Sequence, residues 1–292
     1  MIKKKIVFVG PPDVGKTTIQ QVYFEHMSPT YLLENPLNPS RGVNSCVYSI
    51  FNTNLGVFDL AGQENKIWFS NKGKDIFNQS NVIICVFDIK NSLESIINFL
   101  LSIYKLKKEL NLFSCRIIAF LHKIDLRSNS YVRHKLKDIQ KFITLQHPQG
   151  KDFEIFETSI KKENFYNTFC IISKILNSIY DKNGIPIKKQ DIQELKKELS
   201  IILESDNSVK NSISDLTYKL NLSSEESKNL LENLEKLRFV KNFDEYQLFE
   251  LTERAYYFKI GLKKEINNVQ NSYIKKTIEQ FHIIFCLKES IG

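Results

Sequence analysis

Over roughly the first 180 residues, short continuous apolar runs alternate with stretches whose apolar positions recur every three or four. The runs predict strands at Ile6–Val9, Cys46–Phe51, Leu55–Asp59, Val82–Asp88, Arg116–His122 and Phe153–Thr158. Several are apolar throughout, as parallel strands covered on both faces are. The periodic stretches predict helices near Thr17–Glu25, Leu93–Leu110, Tyr131–Thr144 and Asn164–Tyr180. Such alternation is the signature of a doubly wound α/β domain, expected over 1–181.

Asp181–Pro186 carries turn residues and reads as a linker. Beyond it the pattern turns polar and helical, over a second domain expected at 187–292. Helices are predicted near Lys188–Ser205, Ser212–Leu220 and Ser223–Leu237. A hairpin follows, Arg238–Phe243 and Tyr246–Leu251, turning at Asp244 and Glu245. Thr252 caps a helix towards Ile260, and a long one spans Lys263–Leu287. That order matches a mostly α-helical winged helix-turn-helix. Leu216, Leu220, Leu230, Leu234 and Leu237 form an apolar stripe that reads as the core of this domain. The apolar positions of Ile274–Ile278 and Phe281–Phe285 suit either packing on the chain itself or gripping a partner helix.

Composition excludes some classes. With 42% hydrophobic, 12% aromatic and 25% charged residues, only 10 Gly and 7 Pro among 292, the chain is neither disordered nor collagenous. No apolar run reaches the roughly 18 residues of a membrane span. The start runs through three lysines straight into a strand, position 2 is Ile and the end is Glu-Ser-Ile-Gly. Neither secretion nor lipidation is therefore expected. Cys46, Cys85, Cys115, Cys170 and Cys286 are odd in number and widely spaced, as reduced thiols of a cytoplasmic protein are, at least two of them in the core.

One segment carries chemistry. Gly10-Pro11-Pro12-Asp13-Val14-Gly15-Lys16-Thr17 fits the phosphate-loop pattern, with a strand before it and a helix after. Its glycines let main-chain N–H groups turn around a phosphate, and the helix start adds partial positive charge. Asp13, Val14, Gly15 and Thr18 complete the cradle; Lys16 reaches β/γ-phosphate oxygens, and Thr17 offers a hydroxyl to Mg²⁺. At the end of another strand, Asp59-Leu60-Ala61-Gly62-Gln63 supplies a carboxylate for Mg²⁺, a Gly62 N–H for a γ-phosphate and Gln63 to orient a water. His122-Lys123-Ile124-Asp125 follows, its Asp125 able to accept two hydrogen bonds from guanine, a donor pair that adenine lacks. Lys123 would lay its stem over the purine. In Glu157-Thr158-Ser159-Ile160-Lys161, Ser159 and the Ile160 N–H close the base site. Each motif ends a strand, where doubly wound sheets bind ligands.

In this order the motifs resemble those of Ras-like small GTPases, and of the Rag/Gtr branch in particular. Its marks are the His-Lys-x-Asp variant at His122, His26-Met27-Ser28-Pro29 after the first helix, and Asp75-Ile76-Phe77-Asn78 before the strand ending Val86-Phe87-Asp88. Thr158-Ser159-Ile160 matches that branch too. The resemblance implies a GTP/GDP switch dependent on Mg²⁺, with a flexible loop between the first helix and second strand whose threonine senses the γ-phosphate. Ser40 is the nearest match for that threonine and joins Thr17 and Asp59 as a metal ligand; Pro39 and Gly42 beside it also suit plain loop punctuation. Lys16 and Gln63 are the implied catalytic pair. No arginine finger lies in the motifs, although Arg41 is in the loop, so hydrolysis is expected to be slow without an activating protein.

The net charge of +8 invites a nucleic-acid reading. Residues 185–292 hold 17 basic and 17 acidic residues, so the whole excess lies in the first domain. The helix that would enter a groove carries Glu225, Glu226, Glu232 and Glu235 against Lys228, Lys236 and Arg238. An acidic helix opposes phosphate binding, so protein regulators, effectors or a dimer partner are expected before duplex DNA. The C-terminal segment also departs from the α/β roadblock-type domain of the branch, and dimerisation through such a domain is not carried over. A nucleotide-gated DNA-binding regulator and a non-hydrolysing GTP-binding scaffold stay open, as does a peripheral contact of the lysine clusters with an anionic membrane surface.

Overall fold

The computed structural model describes residues 4–50, 53–146, 153–180, 189–207, 209–243, 247–268, 281, 285 and 288–289. Their contacts gather into two units, one of Met1–Phe24, Pro36–Ile160 and Glu289–Gly292, the other of Glu25–Asn35 and Lys161–Lys288.

In the first unit, strands β1 (Lys4–Val9), β2 (Val43–Ile50), β3 (Thr53–Leu60), β4 (Val82–Asp88), β5 (Arg116–His122) and β6 (Phe153–Thr158) build the sheet. With β10 (Lys288–Glu289) at its edge, the order is β10–β2–β3–β1–β4–β5–β6. β1, β3, β4, β5 and β6 are parallel neighbours and β2 runs antiparallel to β3. This is the expected doubly wound arrangement. Its helices are α1 (Lys16–Tyr23), α3 (Asn65–Trp68), α4 (Leu93–Glu109) and α5 (Asn129–Gln146). The buried row Ile96, Leu100, Ile103 and Leu106 of α4, spaced at helical intervals, packs with Ile139 and Ile143 of α5 and with Ile83, Cys85, Ile117 and Ala119 of the strands. Cys85 and Cys115 are fully buried in this core.

Register sets up the sheet's C-terminal edge. Phe8 pairs with Asp59, and Asp88, His122 and Thr158 stand in one row across three strands. The chemistry-bearing motifs therefore emerge side by side.

The second unit contains α2 (Pro29–Glu34), α6 (Lys162–Tyr180), α7 (Lys189–Glu204), β7 (Asn211–Ser212), α8 (Ile213–Leu220), α9 (Ser224–Lys236), β8 (Val240–Phe243), β9 (Leu248–Leu251) and α10 (Glu253–Asn268). β7 precedes the helix pair α8 and α9 and β8 and β9 follow it; the three strands form a small antiparallel sheet, β7–β9–β8, the arrangement of a winged helix-turn-helix. Ser223 caps α9 in a reciprocal box with Glu226, and Asn221 ends α8 in the left-handed conformation that a short polar residue tolerates. Of the leucine stripe, Leu216, Leu230, Leu234 and Leu237 are buried and Leu220 half-buried. Phe169 of α6 and Phe258 of α10 lie 5.0 Å apart by ring centroids, and Phe281 packs on both. Phe285 stacks on Phe239 at 5.4 Å. These two C-terminal aromatics thus pack on the chain itself.

Several expectations are corrected. The stretch before β2 is not all loop: Ser28 accepts a hydrogen bond from the Tyr31 amide and Pro29 takes the first helical position, so α2 forms there. β2 starts at Val43, three residues before the predicted strand, because its pairing with β3 runs back to Leu60. The break predicted between Ile260 and Lys263 does not exist; α10 runs through both. The linker Asp181–Pro186, the turn at Asp244 and Glu245, Cys286, and most of the long helix predicted beyond residue 268 lie outside the described residues. Among the described residues no helix is long and apolar enough to cross a membrane.

Candidate functional site

The site grows from the turn after β1. Gly10 has φ +156, and a Cβ there would collide with the Val86 carbonyl oxygen, so only glycine lets the loop leave the sheet beside β4. Gly15, at φ +96, caps α1, and a Cβ on it would lie 2.8 Å from His122 Cδ2. Lys16 is buried and its Nζ donates to the carbonyls of Gly10 and Pro11 at 3.1 and 2.8 Å. Burial lowers its pKa to about 8, against the opposing pull of Asp59 and Asp13. Val14 is buried, whereas Asp13 is exposed and Thr18 half-buried.

Thr17 meets residues from two other segments. Its hydroxyl donates to Asp59 Oδ2, and Ser40 Oγ lies 3.0 Å from the same Thr17 oxygen. A helix start, a loop and a strand end therefore bring two hydroxyls and a buried carboxylate together. All three are hard oxygen donors, the set that suits Mg²⁺. Arg41, next to Ser40, is exposed.

Past β3, Gly62 packs against the phosphate loop so closely that a Cβ would collide with Pro11 and Pro12. Gln63 is exposed in the 3₁₀ turn Gly62–Glu64. Its neighbours, unremarked in the sequence, tie the loops together. Glu64 Oε1 accepts from the Gly42 amide at 2.8 Å, and Asn65 Nδ2 donates to the Gly10 carbonyl at 3.0 Å.

At the far end of the edge, His122 is buried with Nδ1 3.0 Å from Thr158 Oγ1. Burial, reinforced by the Lys123 charge, pushes its pKa down to about 4, so the ring is neutral at pH 7. Lys123, in the left-handed conformation, donates to the Asp13 carbonyl at 2.6 Å and pairs with Asp88 at 2.9 Å. Asp125 is exposed, and Ser159 Oγ donates to its Oδ1 at 2.5 Å. Ser159 and Ile160 are buried behind it. Asp88 and Thr158 are partners that motif reading passed over; their shared row with His122 would have exposed them had the register been known.

A family model described as the Gtr1/RagA G protein conserved region matches residues 5–203. The chain belongs to this family. As a Gtr1/RagA-type G protein it is a guanine-nucleotide-binding GTPase in class, built on the phosphate-loop fold described above. No curated protein matches the chain. Among solved structures, a bacterial selenocysteine-specific elongation factor, EF-Sec, is similar at 16% identity with a TM-score of 0.43. That match covers 62% of this chain but only 29% of the other.

Proposed function

We propose that this Gtr1/RagA-type chain is a Mg²⁺-dependent GTP/GDP switch that hydrolyses GTP slowly and signals by nucleotide-dependent binding of protein partners. The observation that carries the reading is the meeting of Thr17, Ser40 and Asp59 beside a buried lysine at a helix start. In this reading Asp13, Val14, Gly15, Lys16, Thr17 and Thr18 hold the phosphates through main-chain N–H groups and the Lys16 ammonium. Thr17, Ser40 and Asp59 would hold the metal, which when bound neutralises phosphate charge. Gly62 offers its N–H to the terminal phosphate and Gln63 orients the water. Asp125 accepts from the guanine edge, with Ser159 fixing its carboxylate, Lys123 beneath the purine, Ile160 offering its N–H and His122 supporting the phosphate loop at Gly15.

Slow turnover follows from the lack of an arginine among these residues, since such a finger is worth roughly 10³–10⁵ in rate. A protein partner is favoured over duplex DNA because Glu225, Glu226, Glu232 and Glu235 all lie on α9, the helix that would enter a groove.

Mass identification of the co-purifying nucleotide tests the reading. A guanine nucleotide is expected, with Asp125→Asn lowering its affinity by about 100-fold as the base loses a charged acceptor. Equal affinity for ATP, or no binding with Mg²⁺ supplied, would overturn it. Gln63→Leu is expected to stop single-turnover hydrolysis and to retain binding.

A further inference from the structure

Residues 25–35 lie between α1 and the Ser40 loop in sequence, yet they gather with the C-terminal helices. The contacts that hold them are specific. Glu253, the first residue of α10, accepts from Ser28 Oγ at 2.5 Å, from the Thr30 amide at 3.2 Å and from the Thr30 hydroxyl. Tyr257, one turn on, places its hydroxyl 3.1 Å from Thr30 Oγ1. One carboxylate thus collects donors at the start of α2. Burial works to raise its pKa, but the hydrogen bonds from Ser28 and Thr30 outweigh it and hold the carboxyl below its ordinary value. Beside it, buried Arg254 reaches His26 Nδ1 at 3.3 Å and lies over the rings of Phe165 and Phe239. Arg238 approaches Met27 Sδ at 3.2 Å. Every residue from His26 to Ser28, and Thr30, is therefore gripped by the winged-helix unit. The chain then has only Pro36 to Pro39 to cross before Ser40 reaches Thr17.

Resting on the switch reading above, we propose that Glu253 is a positioning residue for the nucleotide site: it clamps residues 25–35 and so sets how readily the Ser40 loop closes over a triphosphate. The physical effect is loop entropy. With the clamp made, the free segment is about seven residues, Pro36 to Gly42; with it broken, the free segment grows towards a limit of about eighteen. The odds of closure fall with the three-halves power of length, so freeing the whole segment disfavours the ordered loop by about fourfold at most. Only states in which Ser40 is engaged feel this, which separates triphosphate from diphosphate.

The test uses the full chain loaded with a fluorescent guanosine diphosphate or a non-hydrolysable triphosphate in Mg²⁺, comparing wild type with Glu253→Gln and Thr30→Val. Triphosphate release is expected to quicken in each variant, by up to the fourfold of a fully freed loop, diphosphate release to change by less than half as much, and the double variant to add little to either single one. Amide hydrogen exchange at 25–42 is expected to quicken alongside. Unchanged triphosphate release with faster exchange in that segment overturns the proposal, as does unchanged exchange, or equal acceleration of both nucleotides. Thr30→Val keeps the experiment decisive should Glu253→Gln not fold. A wild-type chain that binds neither nucleotide overturns the switch reading itself, and the clamp's role with it.

Discussion

In the first unit polar side chains collect along one edge of a sheet, each within a few positions of a strand end or a glycine; in the second they are spread along helices and find partners far away in sequence. Thr17 and Asp59 are 42 positions apart and both belong to recognisable motifs. Ser28 and Glu253 are 225 apart, and although Ser28 lies in the His26-Met27-Ser28-Pro29 run, Glu253 belongs to no motif. The difference is one of constraint. A polyphosphate site needs main-chain amides, a cation and oxygen donors in fixed positions, which limits the residues and their spacing. A clamp needs only that some donor meet some acceptor, and many residue pairs do that equally well. Motif chemistry is written in spacing, packing chemistry in tertiary contact.

Two glycines sharpen that contrast and give the largest expected effects. Gly10→Ala drives a Cβ into the Val86 carbonyl, main chain against main chain, where nothing can rotate away. Loss of measurable guanine-nucleotide binding is expected, with a destabilisation of about 3 kcal/mol or more from the overpacking. Gly261, inside α10, faces the Cβ and ring of Tyr166. Gly261→Ala is expected to cost about 1–2 kcal/mol, overpacking being partly offset by alanine's helix propensity, and to leave the preference for guanine over adenine intact. Denaturant midpoints read the stability and a competition assay reads the preference. Preserved nucleotide binding in Gly10→Ala would sever the loop geometry from the proposed site.

His122 offers an effect close in size to that of Gly10, confined to the first unit. Its folded pKa of about 4 lies below the ordinary 6.5, so between these values the unfolded chain binds a proton that the folded chain refuses. Stability contributed by the neutral ring is present above pH 6.5 and is lost as pH falls through the window, by about 3 kcal/mol in total. Urea midpoints between pH 4.5 and 7 are expected to fall steeply in wild type and less steeply in His122→Asn. Parallel slopes would show that other groups carry the acid sensitivity.

The same contrast accounts for what was legible. The glycine spacing, the lysine, the strand-end carboxylates and the burial of at least two cysteines, which are Cys85 and Cys115, follow from sequence because each obeys a local rule. Ser28 and Pro29 carry a local signal, a helix cap and a first-turn proline, that reading the stretch as a flexible loop leaves unused. Gly261 sits where two helices were predicted to meet; the structure uses it for close approach to Tyr166 and keeps the helix whole. Glu64 to Gly42, Asn65 to Gly10 and Asp88 to Lys123 depend on register and on loop paths, which no period or motif encodes. The grip of α10 on residues 25–35 lies furthest beyond reach, since both partners are ordinary surface residue types.

Two capping serines in the second unit bring the comparison to its smallest scale. Ser223 caps α9, accepting from the Glu226 amide at 3.1 Å, and Ser28 caps α2, accepting from the Tyr31 amide at 3.2 Å. As caps they are equivalent, and replacement by alanine is expected to cost about 1 kcal/mol in each case. They differ in how each meets a carboxylate. Ser28 donates its hydroxyl to Glu253, far away in sequence, whereas Ser223 donates its main-chain N–H to Glu226 of the same helix turn. Ser223→Ala is therefore expected to lower the melting temperature slightly and leave triphosphate release unchanged. Ser28→Ala is expected to lower it by a similar amount and also to speed release by up to the fourfold limit of a fully opened loop, the remaining Thr30 contacts keeping the effect smaller. Equal release from the two variants would reduce both serines to helix caps and leave the second unit without a hand in the nucleotide cycle.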